Sequence, residues 1–237
     1  MITSIHIENY KSLEKVDLRL GGLNVLVGPN NAGKSNILDA FAFIGELARE
    51  GTPAVESRGG FANIVFQGDI KRTISFQIKG KWSAAANTAG KGYQYDLQLV
   101  GGPSHWRISH ELFSTVDVTG NLAQVLEREG NRSSFSLFSE QGERVSQIGM
   151  GRTDKPAISS LVGVEEPRCP PILAAFANEV TIWDRFQLAP ILMRKPAPIR
   201  RDLLLSRQGE NLATILHELY TRHRSLFQEI ETTLQAM

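Results

Sequence analysis

The stretch LNVLVGPNNAGKSNILD, residues 23–39, limits what this chain can become more than any other part of it. An apolar run, Leu23-Asn24-Val25-Leu26-Val27, ends at Gly28. Gly28-Pro29-Asn30-Asn31-Ala32-Gly33-Lys34-Ser35 then satisfies the phosphate-loop pattern G-x-x-x-x-G-K-[ST] at every position. Ile37, Leu38, Phe41 and Ile44 follow at helical spacing. Strand, glycine-bounded loop and helix form the context in which this motif holds phosphate. The pattern therefore predicts an α/β core with residues 23–27 as a buried parallel strand.

Composition narrows the class. A chain of 237 residues can bury a substantial core. Its formal net charge of +1 supplies no global field to attract nucleic acid or an anionic membrane. The single cysteine, Cys169, excludes an internal disulfide framework and a zinc knuckle, in keeping with a reducing compartment. The opening MITSIHIENYKSLEKV has neither the apolar region nor the cleavage site of a signal peptide. No run reaches the 18 apolar residues of a membrane span. The expectation is a cytoplasmic protein.

In chain order, residues 3–8 alternate around Ile5 and Ile7, and residues 16–20 alternate again after the turn Tyr10-Lys11-Ser12-Leu13. Gly21-Gly22 leads into the expected parallel strand. The post-loop helix should cover residues 34–49, with Leu38, Phe41, Phe43, Ile44 and Leu47 as its apolar surface, and Gly51-Thr52-Pro53 should stop it. Residues 1–60 thus read as a nucleotide-binding core.

Residues 61–149 read as an antiparallel meander. Residues 73–78, 93–99 and 106–112 alternate cleanly, with further strands at 123–127, 134–138 and 144–148 and turns at Gly130-Asn131 and Gln141-Gly142. Residues 150–237 form a region of helices and loops. One helix begins near Pro171, a short strand is expected at 182–188, and residues 210–220 and 222–234 carry apolar stripes.

Residue types divide the labour at the loop. Backbone N–H groups from Asn30 to Ser35, with the partial positive charge of the helix N-terminus, favour an anion. Gly28 and Gly33 permit close backbone approach. Lys34, the catalytic assignment, reaches the β- and γ-phosphates, and the Ser35 hydroxyl is placed to ligate Mg²⁺. A nucleotide with Mg²⁺ is therefore the expected cofactor. Hydrolysis also requires a second magnesium anchor and a water-positioning group. Leu161-Val162-Gly163-Val164-Glu165-Glu166 imitates an acidic strand, but Gly163 weakens it, and the plain reading is a solvated loop. Leu205-Ser206-Arg207-Gln208-Gly209 imitates the signature loop of transporter-type ATPases; its plain reading is a loop and a helix cap. The histidines, among them His105, His110, His217 and His223, have no metal-binding spacing.

Ile5-His6-Ile7-Glu8-Asn9-Tyr10-Lys11-Ser12-Leu13, with the loop and Asn36 behind it, resembles the opening of RecF/SMC-like, ABC-type ATPases, and within them the AAA-type relatives of OLD-like ATPases. Arg58-Gly59-Gly60-Phe61 and Gly209-Glu210-Asn211-Leu212-Ala213 extend the likeness. The resemblance implies that the nucleotide is ATP, held by a P-loop NTPase head with a mixed sheet, an antiparallel β subdomain and C-terminal helices. It assigns Lys34 and Ser35 the phosphate and Mg²⁺ roles and has Asn30, Asn31, Ala32, Gly33 and Asn36 shape or flank the loop. Gln67 is the nearest candidate for the family's glutamine loop.

Complete members place the signature loop before the acidic strand, whereas the two imitations here stand in reverse order. The expectation is an N-terminal portion lacking the C-terminal lobe, with little hydrolysis alone. Its partners would be that missing half or a second copy in a homodimer. DNA maintenance or phage defence is the implied setting. Four cations, Arg194, Lys195, Arg200 and Arg201, form a candidate patch for nucleic acid or a partner. A competing reading is a non-hydrolysing interaction module that uses the terminal helices.

Overall fold

The computed structural model describes residues 1–82, 92–102, 105–116, 122–129, 134–138, 143–149, 154–162, 171–196 and 204–235. The imitation acidic residues Glu165 and Glu166, Cys169, Arg200 and Arg201, and the turns at Gly130-Asn131 and Gln141-Gly142 lie outside them. Two compact units are present, residues 1–183 and 184–237.

The first unit is built on one antiparallel sheet. Strands β1 (Ile2–Tyr10), β2 (Leu13–Arg19), β3 (Ile74–Lys81), β4 (Gly92–Gly101), β5 (Trp106–Val116), β6 (Leu122–Glu129), β7 (Ser134–Phe138) and β8 (Arg144–Gly149) lie in the order β2-β1-β3-β4-β5-β6-β7-β8. The alternation legible in the sequence sets the register. One apolar row, Leu18, Ile5, Ile78, Tyr95, Phe113, Leu126 and Leu137, runs unbroken across seven strands. A one-residue slip anywhere along it would turn that strand's apolar set to the other face.

Helices α1 (Lys34–Glu50) and α4 (Pro171–Thr181) contribute Phe43, Ile44, Leu47, Leu173, Phe176 and Val180 to the same core as the inward sheet residues. Phe176 alone meets Tyr93, Tyr95 and Phe113, each at a centroid distance of 5.0 Å. Such ring pairs are worth about 0.5–1.5 kcal/mol beyond their area. A Cβ at Gly45 would overlap the Trp183 carbonyl oxygen, so glycine permits α1 to come this close to the end of α4. Short helices α2 (Thr52–Glu56) and α3 (Phe61–Ile64) complete the cover, and α2 begins immediately after Gly51.

Three expectations change. The clean alternation expected over 106–112 fails because the β4–β5 register shifts at Gln98/Leu99. A bulge adds one residue and reverses the faces beyond it, so Glu111 and Phe113 are buried and His110 and Leu112 only half-buried. Glu111 therefore sits inward opposite Arg128, in a row with Ile7, Phe76 and Leu97. It accepts the Ala157 and Ile158 N–H groups at 2.5 and 3.1 Å and the Tyr95 hydroxyl at 3.0 Å. Burial pushes its carboxyl above the ordinary range against those bonds.

Secondly, residues 23–27 belong to no strand. Among the described residues, the backbone of Leu23, Val25, Leu26 and Val27 makes no hydrogen bond. Leu23, Val25 and Val27 are 88%, 77% and 90% exposed. A strand buried on both faces needs neighbours on both sides, and the eight-stranded sheet pairs its strands antiparallel throughout without including this segment. Leu26 is half-buried and lines an apolar cleft of about 390 Å³ with Leu18, Leu20, Ile37 and Phe41.

Thirdly, residues 182–188 form no strand. In the second unit, the Gln187 and Ala189 N–H groups bond to the Arg207 and Gln208 carbonyls at 2.8 and 3.0 Å, short of a ladder. That unit contains α5 (Pro190–Met193), α6 (Leu212–Arg222) and α7 (Arg224–Gln235). Asn211 precedes α6, but its side chain does not cap the helix. It closes the preceding loop instead, through the Ser206 N–H at 2.8 Å and the Leu204 carbonyl at 2.9 Å.

Candidate functional site

Residues 28–35 follow that segment, turn at Asn30 and Asn31, and enter α1 at Lys34. Asn31 and Gly33 adopt left-handed backbone, with φ of 65° and 85°. At Gly33 a side chain is excluded twice over, because a Cβ would also lie 2.9 Å from Leu13 Cδ2. The Gly33 carbonyl accepts the Asn36 and Ile37 N–H groups at 2.9 and 3.0 Å, which starts the helix. A cavity of about 590 Å³ opens above this turn, lined by Ser12 and by Asn30, Asn31, Ala32, Gly33, Lys34, Ser35 and Asn36.

Seven residues singled out in the sequence thus share one concavity. Gly28 sits at its approach, where its carbonyl and that of Pro29 each accept the Lys34 ammonium at 2.6 Å. Those neutral carbonyls are weaker partners for an ammonium than a phosphate oxygen would be. Ser35 is exposed in the cavity wall. A single hydroxyl suits Mg²⁺, which takes few protein ligands and completes its octahedron with water and phosphate. Gln67 is placed elsewhere, in the turn Phe66–Gly68, exposed and with φ 54°, and does not line the cavity.

Behind the cavity lies a charged cluster that periodicity did not single out. Asp39 is buried on α1, while Leu38, expected inward, is half exposed at 50%. The Asp39 carboxylate accepts the Tyr10 hydroxyl at 2.7 Å and the Lys11 ammonium at 2.5 Å. It also receives the Arg58 fork, Nε on Oδ2 at 3.2 Å and Nη2 on Oδ1 at 3.1 Å. Arg58 pairs in addition with Glu46, bonds to the Ala54 carbonyl at 2.9 Å, and lies over the Phe43 ring. The legible signal was the spacing of Asp39 and Glu46, seven residues apart on the face that also carries Phe43.

Burial works against ionisation of Asp39, but hydrogen bonds from Arg58, Lys11 and Tyr10 outweigh it and hold the carboxyl down to about 2. Burial and the facing carboxylate push the Tyr10 phenol well up. A depressed carboxyl adds stability above its unfolded value, and that contribution is lost as pH falls through the folded value. Thermal melts between pH 5 and pH 2 should therefore show a loss attributable to Asp39 from about 3.8 down to about 2. Asp39→Asn should flatten that part of the profile; an unchanged profile would show that the cluster is not ionised as described.

Comparison with known proteins places this geometry. Residues 1–95 match the AAA ATPase domain family, covering both the loop and the Asp39 cluster. That region is similar to AAA ATPase domains. The OLD nuclease of Thermus scotoductus is 43% identical over 44 residues, which is 19% of this chain and 8% of that protein. The DNA replication and repair protein RecF of Bacteroides fragilis is 26% identical over 163 residues, 68% of this chain and 41% of RecF. The chain thus spans less than half the length of either relative. A solved SMC ATPase aligns at 18% identity over 61% of this chain and 72% of that one, with a TM-score of 0.29, too low to bear on architecture. Among the described residues, no group of three or more His, Cys, Asp or Glu side chains is arranged to hold a metal. No helix among the described residues is long and apolar enough to cross a membrane.

Proposed function

We propose that the loop at residues 28–35 binds ATP with Mg²⁺, and that hydrolysis depends on a C-terminal lobe and a partner head. The observation that carries the ligand is the cavity itself. Its floor is the N-terminus of a 17-residue helix, with Lys34 and Ser35 in its wall. Backbone donors and the helix terminus favour an anion, Lys34 supplies a mobile cation, and Ser35 offers an oxygen to Mg²⁺. Bound Mg²⁺ would neutralise charge developing on the phosphates during transfer. The chain's own residues bind and orient the phosphates. Among the described residues, no base or water-orienting carboxylate lines the cavity.

The dependence on a further lobe is supported by residues 23–27, whose apolar side chains and unpaired backbone suit a strand added alongside. DNA maintenance, the role in the name of the relative RecF, is the setting we favour, although a net charge of +1 lends DNA binding no electrostatic help. A second reading is an interaction module in which the terminal helices dock another protein. It draws on α7, where Leu226, Ile230 and Leu234 are 48%, 37% and 65% exposed.

Calorimetric titration of the purified chain with ATP, with and without Mg²⁺, tests the proposal. Saturable binding strengthened by Mg²⁺, with negligible steady-state turnover, is the expected result. Absence of binding leaves the interaction module as the better account, and sustained turnover by the chain alone would remove the need for a further lobe.

A further inference from the structure

Ser12 lines the phosphate cavity, yet it lies in the Lys11–Ser12 turn of the β1–β2 hairpin rather than in the loop. Its backbone is not relaxed: Lys11 has φ 50°, a conformation that costs a side-chain-bearing residue about 1–2 kcal/mol. Something must hold it there. The Lys11 N–H donates to the Ile64 carbonyl at 2.8 Å. The remaining grips come from α1. Asp39 takes the Lys11 ammonium and the neighbouring Tyr10 hydroxyl, and Asn36 Nδ2 donates to Ser12 Oγ at 2.7 Å. Asn36 and Asp39 are three residues apart on one helix, so they reach the same turn from adjacent positions.

Stability alone is a poor reason for such a cluster. Burying two carboxylates and two cations incurs a desolvation cost that their attraction roughly cancels, and apolar residues of similar volume often serve as well. What a fully paired cluster offers is fixed geometry. Asp39 joins three segments: the turn at Lys11, α1 itself, and, through Arg58, the Arg58-Gly59-Gly60-Phe61 stretch.

We propose that Asp39 is a positioning residue for the phosphate cavity, clamping the Lys11–Ser12 turn against α1 so that the Ser12 hydroxyl is fixed in the cavity wall. The inference rests on the reading of the cavity as an ATP site. It makes a prediction opposite in sign to simple electrostatics. Removing a negative charge behind a phosphate site, and freeing Lys11, should strengthen ATP binding if charge were all that mattered. Loss of a positioning residue should weaken it.

The test uses the whole chain, with ATP–Mg²⁺ titrated calorimetrically into wild type, Asp39→Asn, Ser12→Ala and the double variant, and amide hydrogen exchange measured without nucleotide. Asp39→Asn should weaken binding about tenfold, equal to ~1.4 kcal/mol, and speed exchange across the turn. Ser12→Ala should weaken binding less and leave exchange of the turn near wild type. The double variant should be no weaker than Asp39→Asn by more than about twofold, because both changes act through one wall.

Binding by Asp39→Asn that equals or exceeds wild type, or unchanged exchange at the turn, overturns the role. Should Asp39→Asn fail to fold, Tyr10→Phe removes one donor to Asp39 while keeping the ring against Phe43 and Phe76. It should loosen the turn and weaken binding severalfold, and no change in either overturns the proposal. Wild-type chain that binds no ATP–Mg²⁺ removes the nucleotide reading and this role together. Wild-type binding with unaffected variants removes this role alone.

Discussion

Lys34→Ala is expected to lower ATP–Mg²⁺ affinity by about a hundredfold, equal to ~2.7 kcal/mol, while the thermal midpoint stays close to wild type. The two halves of that result have separate causes. In the structure the Lys34 ammonium bonds to the Gly28 and Pro29 carbonyls, both in an exposed loop. Losing such contacts costs little stability, because water replaces the ammonium at each oxygen. Alanine is also the best helix former at the first position of α1. With phosphate bound, the same ammonium would instead make charge-assisted bonds worth about 1.5–3 kcal/mol each. Affinity and stability should therefore separate cleanly when titration and melting are measured on the same preparation. Wild-type affinity in Lys34→Ala would mean that the cavity holds phosphate without its cation, and the proposed site would fall.

The loop was legible because its chemistry is local: glycine, lysine and serine at fixed spacing dictate a turn and a helix start, and Gly33 and Lys34 are found where that pattern puts them. The meander was legible for a similar reason, since alternation in residues such as Thr73-Ile74-Ser75-Phe76-Gln77-Ile78 sets strand faces directly. What escaped depends on partners remote in sequence. Asp39 reads as a polar gap in a helical stripe until Tyr10, Lys11 and Arg58 arrive from two other segments. Glu111 reads as outward until the bulge near Leu99 reverses its strand. Residues 23–27 mislead in the other direction. Their apolarity reports the environment the segment suits, whereas strand formation requires neighbours, and the antiparallel sheet provides none.

That mismatch leads to the second large effect, on association. Each of Leu23, Val25 and Val27 would contribute about 1.5–3 kcal/mol if buried, and none is buried within the chain. Beside them runs backbone with unpaired donors and acceptors, a combination that recruits another strand. In sedimentation velocity without nucleotide, the wild-type chain should associate as its concentration rises. The triple variant Leu23→Glu, Val25→Glu, Val27→Glu should remain monomeric over the same range, because three charges at each contact oppose pairing and lose hydration if it occurs. Its folding stability should change little, since these side chains leave no cavity when replaced. Addition of ATP–Mg²⁺ distinguishes two kinds of association. Pairing through the exposed segment should persist without nucleotide and vanish in the triple variant, whereas pairing of ATP-loaded heads should require Lys34. A triple variant that associates as strongly as wild type would place the contact elsewhere, with the exposed stripe on α7 as the next surface to change. A triple variant that unfolds would show that residues 23–27 support the first unit from within, contrary to their exposure.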